Sequence, residues 1–187
     1  MTQVIVDIPD RLFDASESLS LSGTLELSQL TSGPDTYAFA QPLTWNALIL
    51  NTGDEQLLVT GSVQGTAQAI CGRCLDDFEL PLTGEIEGYW LLEDPGEDIP
   101  EDLAEDEFEV VGDRHEMDLF PFIQAALVLA LPFVPLCRED CAGLCPHCGA
   151  NLNDGPCGCT ADEDEGDDAQ ARNPFAVLRG LEFPDEN

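Results

Sequence analysis

Residues 43–92 read LTWNALILNTGDEQLLVTGSVQGTAQAICGRCLDDFELPLTGEIEGYWLL, and this stretch decides the fold. It contains three predicted strands, Leu43 to Leu50, Gln56 to Ile70 and Phe78 to Leu92, rich in alternating apolar and β-branched positions. The turn sequence Asn51-Thr52-Gly53-Asp54 ends the first strand, and glycines within the second could bend it. Because the connections are short, we expect an antiparallel β-meander.

Two shorter segments with the same alternation precede this meander. Ser18 to Ser22 and Thr24 to Leu27 place polar and apolar residues in turn, as a half-buried strand does. Gly23 lies between the two halves, and a glycine inside a strand pattern predicts a bulge. The rest of residues 1–35 is weakly patterned.

An acidic segment follows the meander. Residues 93–109 hold ten acidic side chains in seventeen positions, together with Pro95, Gly96 and Pro100. Such a segment cannot bury enough apolar surface to order itself. It predicts a solvated, mobile loop.

One main helix is predicted over residues 118–131. Asp118 can cap it, and Pro121 falls in its first turn, where a missing amide hydrogen is tolerated. Apolar residues recur at helical spacing up to Leu131, and Pro132 ends the pattern. The apolar face is typical of a helix packed on a core.

Charge is the strongest global feature of the chain. Its 187 residues include 38 Asp and Glu against 6 Arg and no Lys, which gives a formal net charge of −32. Such a surface repels phosphate backbones and anionic membranes and attracts basic proteins. The N-terminus has no basic, apolar leader, and the most apolar stretch, residues 119–135, is too short for a membrane span. A cytoplasmic location is therefore expected.

The eight cysteines fall into four closely spaced pairs. In a cytoplasmic chain, paired cysteines favour a metal over disulfides. Thiolates at two-residue spacing can wrap one tetrahedral zinc ion, and a Gly directly after the second Cys permits the positive φ of such a knuckle. Eight thiolates fit two closed, structural zinc sites with no open coordination position. The predicted ligands are Cys71, Cys74, Cys137, Cys141, Cys145, Cys148, Cys157 and Cys159.

The pairing of these cysteines is a separate prediction. Loop closure is cheap for residues close in sequence, which favours one site made by Cys145, Cys148, Cys157 and Cys159. The second site would then hold Cys71, Cys74, Cys137 and Cys141. A different grouping, Cys71 and Cys74 with Cys145 and Cys148, stays open, and iron–sulfur ligation also uses four cysteines.

A redox interpretation of Cys145-Pro146-His147-Cys148 is the third alternative. A disulfide oxidoreductase motif opens a long helix, whose N-terminus lowers the thiol pKa. Here the residues that follow, Gly149 to Pro156, have turn chemistry. No other catalytic constellation is found: neither His115 nor His147 has a visible nucleophile partner, and a chain without Lys cannot form a phosphate-binding loop.

The cysteine motifs resemble those of the YceD family, the large ribosomal RNA subunit accumulation proteins. The resemblance rests on Cys71-Gly72-Arg73-Cys74-Leu75, on the string Cys141 to Asn153, on Cys157-Gly158-Cys159 and on the tail Asn173 to Leu178. It spans roughly residues 20 to 181. It implies a role in the accumulation of large-subunit ribosomal RNA and implies no catalysis. Family members are often encoded beside a small basic ribosomal protein.

Together these observations predict an α+β fold with three parts. Residues 1–135 form a mostly β domain, an antiparallel, barrel-like meander with the helix and the acidic loop. Residues 136–160 form a zinc-stapled cysteine-rich module, and residues 161–187 an acidic linker with an apolar tail. The expected function is that of a non-enzymatic factor in large-subunit biogenesis that binds a basic ribosomal protein and has no membrane or small-molecule substrate.

Two other functions stay open on the sequence alone. Arg73 and Arg138 would lie side by side if their knuckles share a metal, which would allow direct contact with ribosomal RNA, although the net charge disfavours it. A thiol–disulfide oxidoreductase acting through Cys145 and Cys148 is the minor alternative.

Overall fold

A computed structural model describes residues 2–53, 56–92, 108–111 and 115–159 of the chain. The chain divides into two compact units, Met1–Cys141 and Ala142–Asn187. The division falls inside the range 136–160 that the sequence predicts as one cysteine-rich module. The predicted acidic linker and apolar tail, residues 161–187, lie outside the described residues.

The first unit contains nine strands, one short 3-10 helix and one α-helix within its described residues. The short helix spans Asp10–Phe13. In chain order the other elements are β1 Ile5–Asp7, β2 Ser18–Leu25, β3 Gln29–Ser32, β4 Asp35–Phe39, β5 Leu43–Gly53, β6 Gln56–Ile70, β7 Asp77–Leu91, β8 Phe108–Val110, β9 Glu116–Asp118 and α1 Phe120–Ala130. The fold is therefore α+β, as predicted, with a mostly antiparallel sheet and one helix.

The centre of the sheet is the predicted antiparallel meander. Strand β6 pairs with β5 on one side and along its whole length with β7 on the other, from Gln56↔Leu91 to Ile70↔Asp77. The bounds of β6 are those predicted. Strand β5 continues to Gly53, three residues beyond its predicted end, because Asn51 and Gly53 still pair across a register irregularity.

The sheet is open at its ends within the described residues. Strand β2 pairs with β5 at one end, and the short β8 pairs in parallel with β7 at the other. The hairpin β3–β4 joins β6 through Ala38 and Phe39, and β1 and β9 form a separate two-stranded sheet. The predicted barrel-like closure is not seen among these pairings.

Three local predictions are corrected by the structure. Gly23 is not a bulge: it pairs in continuous register with Trp45, and a Cβ at this position would lie 2.9 Å from Cζ2 of the indole. The indole ring of Trp45 lies across Gly23, so a larger residue at this position would have to displace the ring. Phe108 and Glu109, predicted as the end of the acidic loop, belong to β8, and the remainder of that loop, residues 93–107, lies outside the described residues.

The third correction concerns the start of the helix. Asp118 is the last residue of β9, and α1 begins two residues later at Phe120. The Asp118 carboxylate still serves the helix end, because its Oδ1 accepts hydrogen bonds from the amides of Phe120 (3.0 Å) and Val4 (2.8 Å). Pro121 lies in the first turn as expected, and α1 ends at Ala130, before Pro132.

Helix α1 packs against β7 at very short range. A Cβ at Gly84 would lie 2.5 Å from the carbonyl oxygen of Ala126, and one at Gly88 would lie 2.0 Å from the ring of Phe122. The Phe122 ring in turn packs at a tilt against Trp90, with ring centroids 4.2 Å apart. The two glycines therefore set the distance between helix and sheet. No helix in the described residues is long and apolar enough to cross a membrane.

Candidate metal-binding sites

The first cysteine pair forms the turn between β6 and β7. The Leu75 amide donates to the carbonyl of Cys71 (3.0 Å), and the Cys71 amide donates to the carbonyl of Asp76 (2.9 Å). Leu75 has φ of +62°, a left-handed conformation that is unfavourable for a branched side chain. This backbone holds the side chains of Cys71 and Cys74 on the same side of the turn.

The pair Cys145 and Cys148 repeats this backbone pattern. The Gly149 amide donates to the carbonyl of Cys145 (2.9 Å), and the Cys145 amide donates to the carbonyl of Ala150 (2.8 Å). Gly149 has φ of +72°, which confirms the conformation predicted for the glycine of this knuckle. Leu75 occupies the equivalent position in the first knuckle, so the two turns are built alike although only one ends in glycine.

The segment after α1 brings the partner cysteines to the first knuckle. The Gly72 amide donates to the carbonyl of Pro135 (2.8 Å), and a Cβ at Gly72 would lie 2.8 Å from a methyl group of Val134. Gly72 therefore allows the chain to pass close enough for Cys137 and Cys141 to face the knuckle. Pro132 follows the end of α1, and both Pro132 and Pro135 restrict the backbone along this path.

The eight thiols group into the two quartets predicted from sequence proximity. Within each quartet the four sulfurs all lie within 4.8 Å of one another. In the first quartet Sγ of Cys71 is 3.7 Å from that of Cys141, and Sγ of Cys74 is 3.7 Å from that of Cys137. Thiolates bound at about 2.3 Å to one tetrahedral zinc would be about 3.8 Å apart. Each quartet therefore has the dimensions of a single-ion site, and all eight thiols are free of disulfides.

Backbone amides favour a thiolate at one position in each quartet. Burial raises the pKa of Cys71, but hydrogen bonds from the amides of Cys137, Cys74 and Arg73 outweigh this and lower it to about 6. Amides of Cys148 and His147 lower the pKa of Cys145 to about 6. These inward-pointing amides stabilise anionic sulfur, which is the form that binds a metal.

The pKa values of Cys74 and Cys159 show the cost of placing four sulfurs together without a cation. An amide of Asp76 acts to lower the pKa of Cys74, but burial and the neighbouring thiols raise it to about 12. Contacts with the thiols of Cys148 and Cys157, and then burial, raise the pKa of Cys159 to about 12. A divalent ion would remove this penalty, because it favours deprotonation of all four ligands.

The second quartet is supported by a small asparagine network within its own unit. The side-chain oxygen of Asn153 accepts from the Ala142 amide (2.8 Å), and that of Asn151 accepts from the Asn153 amide (3.0 Å). Leu144 and Asn151 form an isolated β-bridge. These contacts show that side chains of Asn151 and Asn153 hold the turn that the sequence predicts after Cys148.

The arginines beside the first quartet are engaged within the protein. Nη1 of Arg73 donates to the carbonyl of Cys141 (3.0 Å), so this side chain joins the two halves of the quartet. Nε of Arg138 lies 3.3 Å from a carboxylate oxygen of Asp140. Arg73 lies in the first knuckle and Arg138 directly follows Cys137, so both belong to the first unit. Both side chains already contact protein acceptors.

A tetrahedral ion held by either quartet would take all of its ligands from the protein. Four thiolates complete a tetrahedral ion and leave no position for substrate or activated water. Cys71, Cys74, Cys141 and Cys145 are buried, and Cys145 is only 5% exposed. In the second quartet Cys148 and Cys159 are exposed, and the residues after Cys148 form turns instead of a helix.

Comparison with known proteins gives the family. The family model "Large ribosomal RNA subunit accumulation protein YceD" matches residues 59–182. An uncharacterized protein of Mycobacterium tuberculosis is 39% identical over 104 residues, which is 54% of this chain and 48% of the relative, so the chain spans about half the length of that relative. A Mycobacterium leprae protein is 34% identical over 52% of this chain and 44% of its own length.

A more distant relative carries a functional name. The "Large ribosomal RNA subunit accumulation protein YceD" of Haemophilus influenzae is 31% identical over 134 residues, 68% of both chains. No solved structure gives a significant match. The family model spans the β6–β7 knuckle, α1 and both cysteine quartets, and this chain belongs to the YceD family.

Proposed function

We propose that this chain is a non-enzymatic, cytoplasmic accessory factor in large ribosomal subunit biogenesis, which supports accumulation of large-subunit RNA by binding a basic ribosomal protein. The observation that carries the proposal is the family match over residues 59–182, whose description names large-subunit RNA accumulation. The Haemophilus influenzae relative bears the same name.

Both quartets are proposed to hold zinc in a structural role. Zinc has no geometric preference from d electrons and accepts four thiolates in a closed tetrahedron. The 3.7 Å sulfur separations of the first quartet support one ion of this size, and the paired amide–thiolate contacts of each knuckle support an anionic ligand set. A metal at the first quartet would join the tip of the β6–β7 hairpin to the segment after α1.

The charge distribution supports a basic protein as the partner. The exposed positions of β7 include Asp77, Glu79, Glu85 and Glu87. The arginines of the described residues offset little of this charge, because Arg11 lies 3.6 Å from Glu17 and Arg138 lies 3.3 Å from Asp140. A surface of this sign would shield a Lys- and Arg-rich protein until its RNA site is ready.

Direct contact with ribosomal RNA is less well supported. It would require Arg73 and Arg138 to bind phosphates, although each already contacts a protein acceptor. The net charge of −32 opposes approach of a polyanion. Catalysis is a weaker proposal: in two cavities on the first unit, of about 410 and 370 Å³, the titratable lining residues are Glu79, Glu85 and Glu87, which lie on the exposed face of β7.

Deletion of the chain in its source organism tests the proposal. We expect a lower ratio of large- to small-subunit ribosomal RNA, and fewer large subunits on a sucrose gradient, both restored by the wild-type chain. Affinity purification at low salt should recover a basic large-subunit protein that is lost as salt is raised, because screening weakens exposed charge pairs. An unchanged ratio in the deletion strain would refute the proposed function, and a partner retained at high salt would refute its electrostatic basis.

A further inference from the structure

One long edge of the sheet is unpaired in the described residues. Strand β7 pairs with β6 along its whole length, but on its other side it meets only β8, at Tyr89, Trp90 and Leu91. Between Asp77 and Gly88 the edge away from β6 pairs with no described strand. Pro81 has no amide hydrogen to offer, but from Thr83 to Gly88 alternate amide and carbonyl groups point outward and can accept a further strand.

A cavity of about 370 Å³ lies at this edge, between β7 and α1. It is lined by Gly84, whose Cα hydrogen side faces α1, and also by Glu85, whose side chain points to the opposite face of the sheet. A cavity that touches both faces must lie at the edge of the strand, and no residue of β6 lines it. The close approach of α1 at Gly84 makes the helix the second wall.

The walls of this groove have two kinds of chemistry. The helix wall is apolar, and includes Phe122, Ala125 and Leu129, of which Leu129 is 84% exposed. The strand wall carries the exposed carboxylates of Glu85 and Glu87. No basic side chain lines the groove. An occupant therefore needs a strand-like backbone, an apolar side chain for the helix wall and cations for the strand wall.

We infer that the groove between β7 and α1 binds an extended segment of a basic protein by strand addition to the β7 edge. Main-chain hydrogen bonds to β7 would supply affinity, and alternating side chains would supply selectivity, with apolar residues on α1 and Lys or Arg on the carboxylates. The identity of the partner as a ribosomal protein rests on the proposed function, whereas the binding mode rests on the groove itself. The five residues from Thr83 to Glu87 would contact about 17 Å of peptide.

A synthetic ten-residue peptide in which Lys alternates with Val is a suitable probe. In an isotope-labelled sample of the full chain, addition of this peptide should shift the amide resonances of Thr83 to Glu87, and should protect from exchange those among them that point away from β6. A peptide of identical sequence with alternate backbone nitrogens methylated keeps its charge but cannot complete the strand ladder. We expect it to bind at least tenfold more weakly, and equal binding of the two peptides would overturn strand addition.

Two neighbouring substitutions on the exposed face of α1 test the groove. Ala125→Trp would fill the cavity without changing the charge, and should weaken peptide binding at least tenfold. Gln124→Trp is the matched control, because Gln124 is also exposed but does not line the cavity, and it should bind as wild type. Equal binding by the two variants would show that the peptide is held by general charge attraction and would overturn the inference.

The same variants separate this inference from the proposed function. If Ala125→Trp loses the peptide and fails to restore the RNA ratio in the deletion strain, both are supported. If it loses the peptide but restores the ratio fully, the groove is not the route to the ribosomal partner and the inference about that partner falls, while the proposed function stands. A normal ratio in the deletion strain itself would remove the proposed function without affecting peptide binding.

Discussion

Removing the proposed metal from the second quartet should unfold residues 142–159 and leave the β-meander folded. The perturbation is a strong zinc chelator, or the double substitution Cys148→Ser with Cys157→Ser. His147→Ala is the matched control, because this exposed side chain lies between two ligands and is not one of them. The variant pair should lower bound zinc from two ions per chain to one, whereas the control should retain both.

The expected size of the effect follows from the small number of side chains that residues 142–159 bury. Of its side chains, Cys145 is buried, while Leu144 and Leu152 are only partly buried. Ordering about 18 residues costs at least about 18 kcal/mol of backbone entropy. The hydrogen bonds described within the stretch contribute about 1 kcal/mol each, or about 7 kcal/mol together. In small finger peptides that are unfolded without metal, zinc binding and the folding coupled to it are together favourable by about 10–16 kcal/mol, so a bound ion is enough to order a stretch that cannot order itself.

The assay is amide hydrogen exchange by two-dimensional NMR. The amides of Gly149 and Leu152 donate to the carbonyls of Cys145 and Gly143, so both should be protected with metal and exchange freely without it. Amides in the middle of β6, such as those of Val59 and Val63, should keep their protection, because that strand is paired on both sides over a buried core. Persistent protection of Gly149 and Leu152 in chelated protein with no bound metal would refute the reasoning.

Two further predictions concern the core of the first unit. Gly88→Ala should lower the free energy of unfolding by about 2 kcal/mol or more, because its Cβ would overlap the Phe122 ring, and Phe122→Leu in the same chain should recover part of the loss in a thermal melt. Trp45→Phe should stay within about 1 kcal/mol of wild type, since loss of apolar area is offset by removal of a buried indole N–H that has no described partner; a loss above about 3 kcal/mol would contradict this.

The central strands were predictable because their burial alternates cleanly. Along β7 the even-numbered residues from Leu82 to Trp90 are buried and the odd-numbered ones from Glu79 to Glu87 are exposed, which is the period-two signal of a strand with one face on the core. The hairpin β3–β4 was missed because its strands are only four and five residues long. Its one strong signal was the two-residue turn Gly33-Pro34, in which Gly33 has φ of +59°.

At the metal sites, sequence proximity predicted the grouping of the thiols but not the shape of the first knuckle. Loop closure favours short spans, and the four cysteines of residues 145–159 do lie together. Nothing in the residue Leu75 signals a left-handed backbone, since the conformation is imposed by the hydrogen bonds around Cys71. The groove at β7 could not be predicted from the sequence either, because it depends on which edge of the strand remains unpaired.

The separation of the first quartet in sequence also sets a delay during protein synthesis. Cys74 and Cys137 are 63 residues apart, and ribosomes add about 5–20 residues per second. The β6–β7 turn is therefore made about 3–13 s before its partner cysteines exist. During that interval, Cys71 and Cys74 supply only two of the four thiols of the quartet, and both can react with oxidants or bind a different metal. The first site is thus exposed to error by the order in which the chain is made, while the second can close almost as soon as it is synthesised.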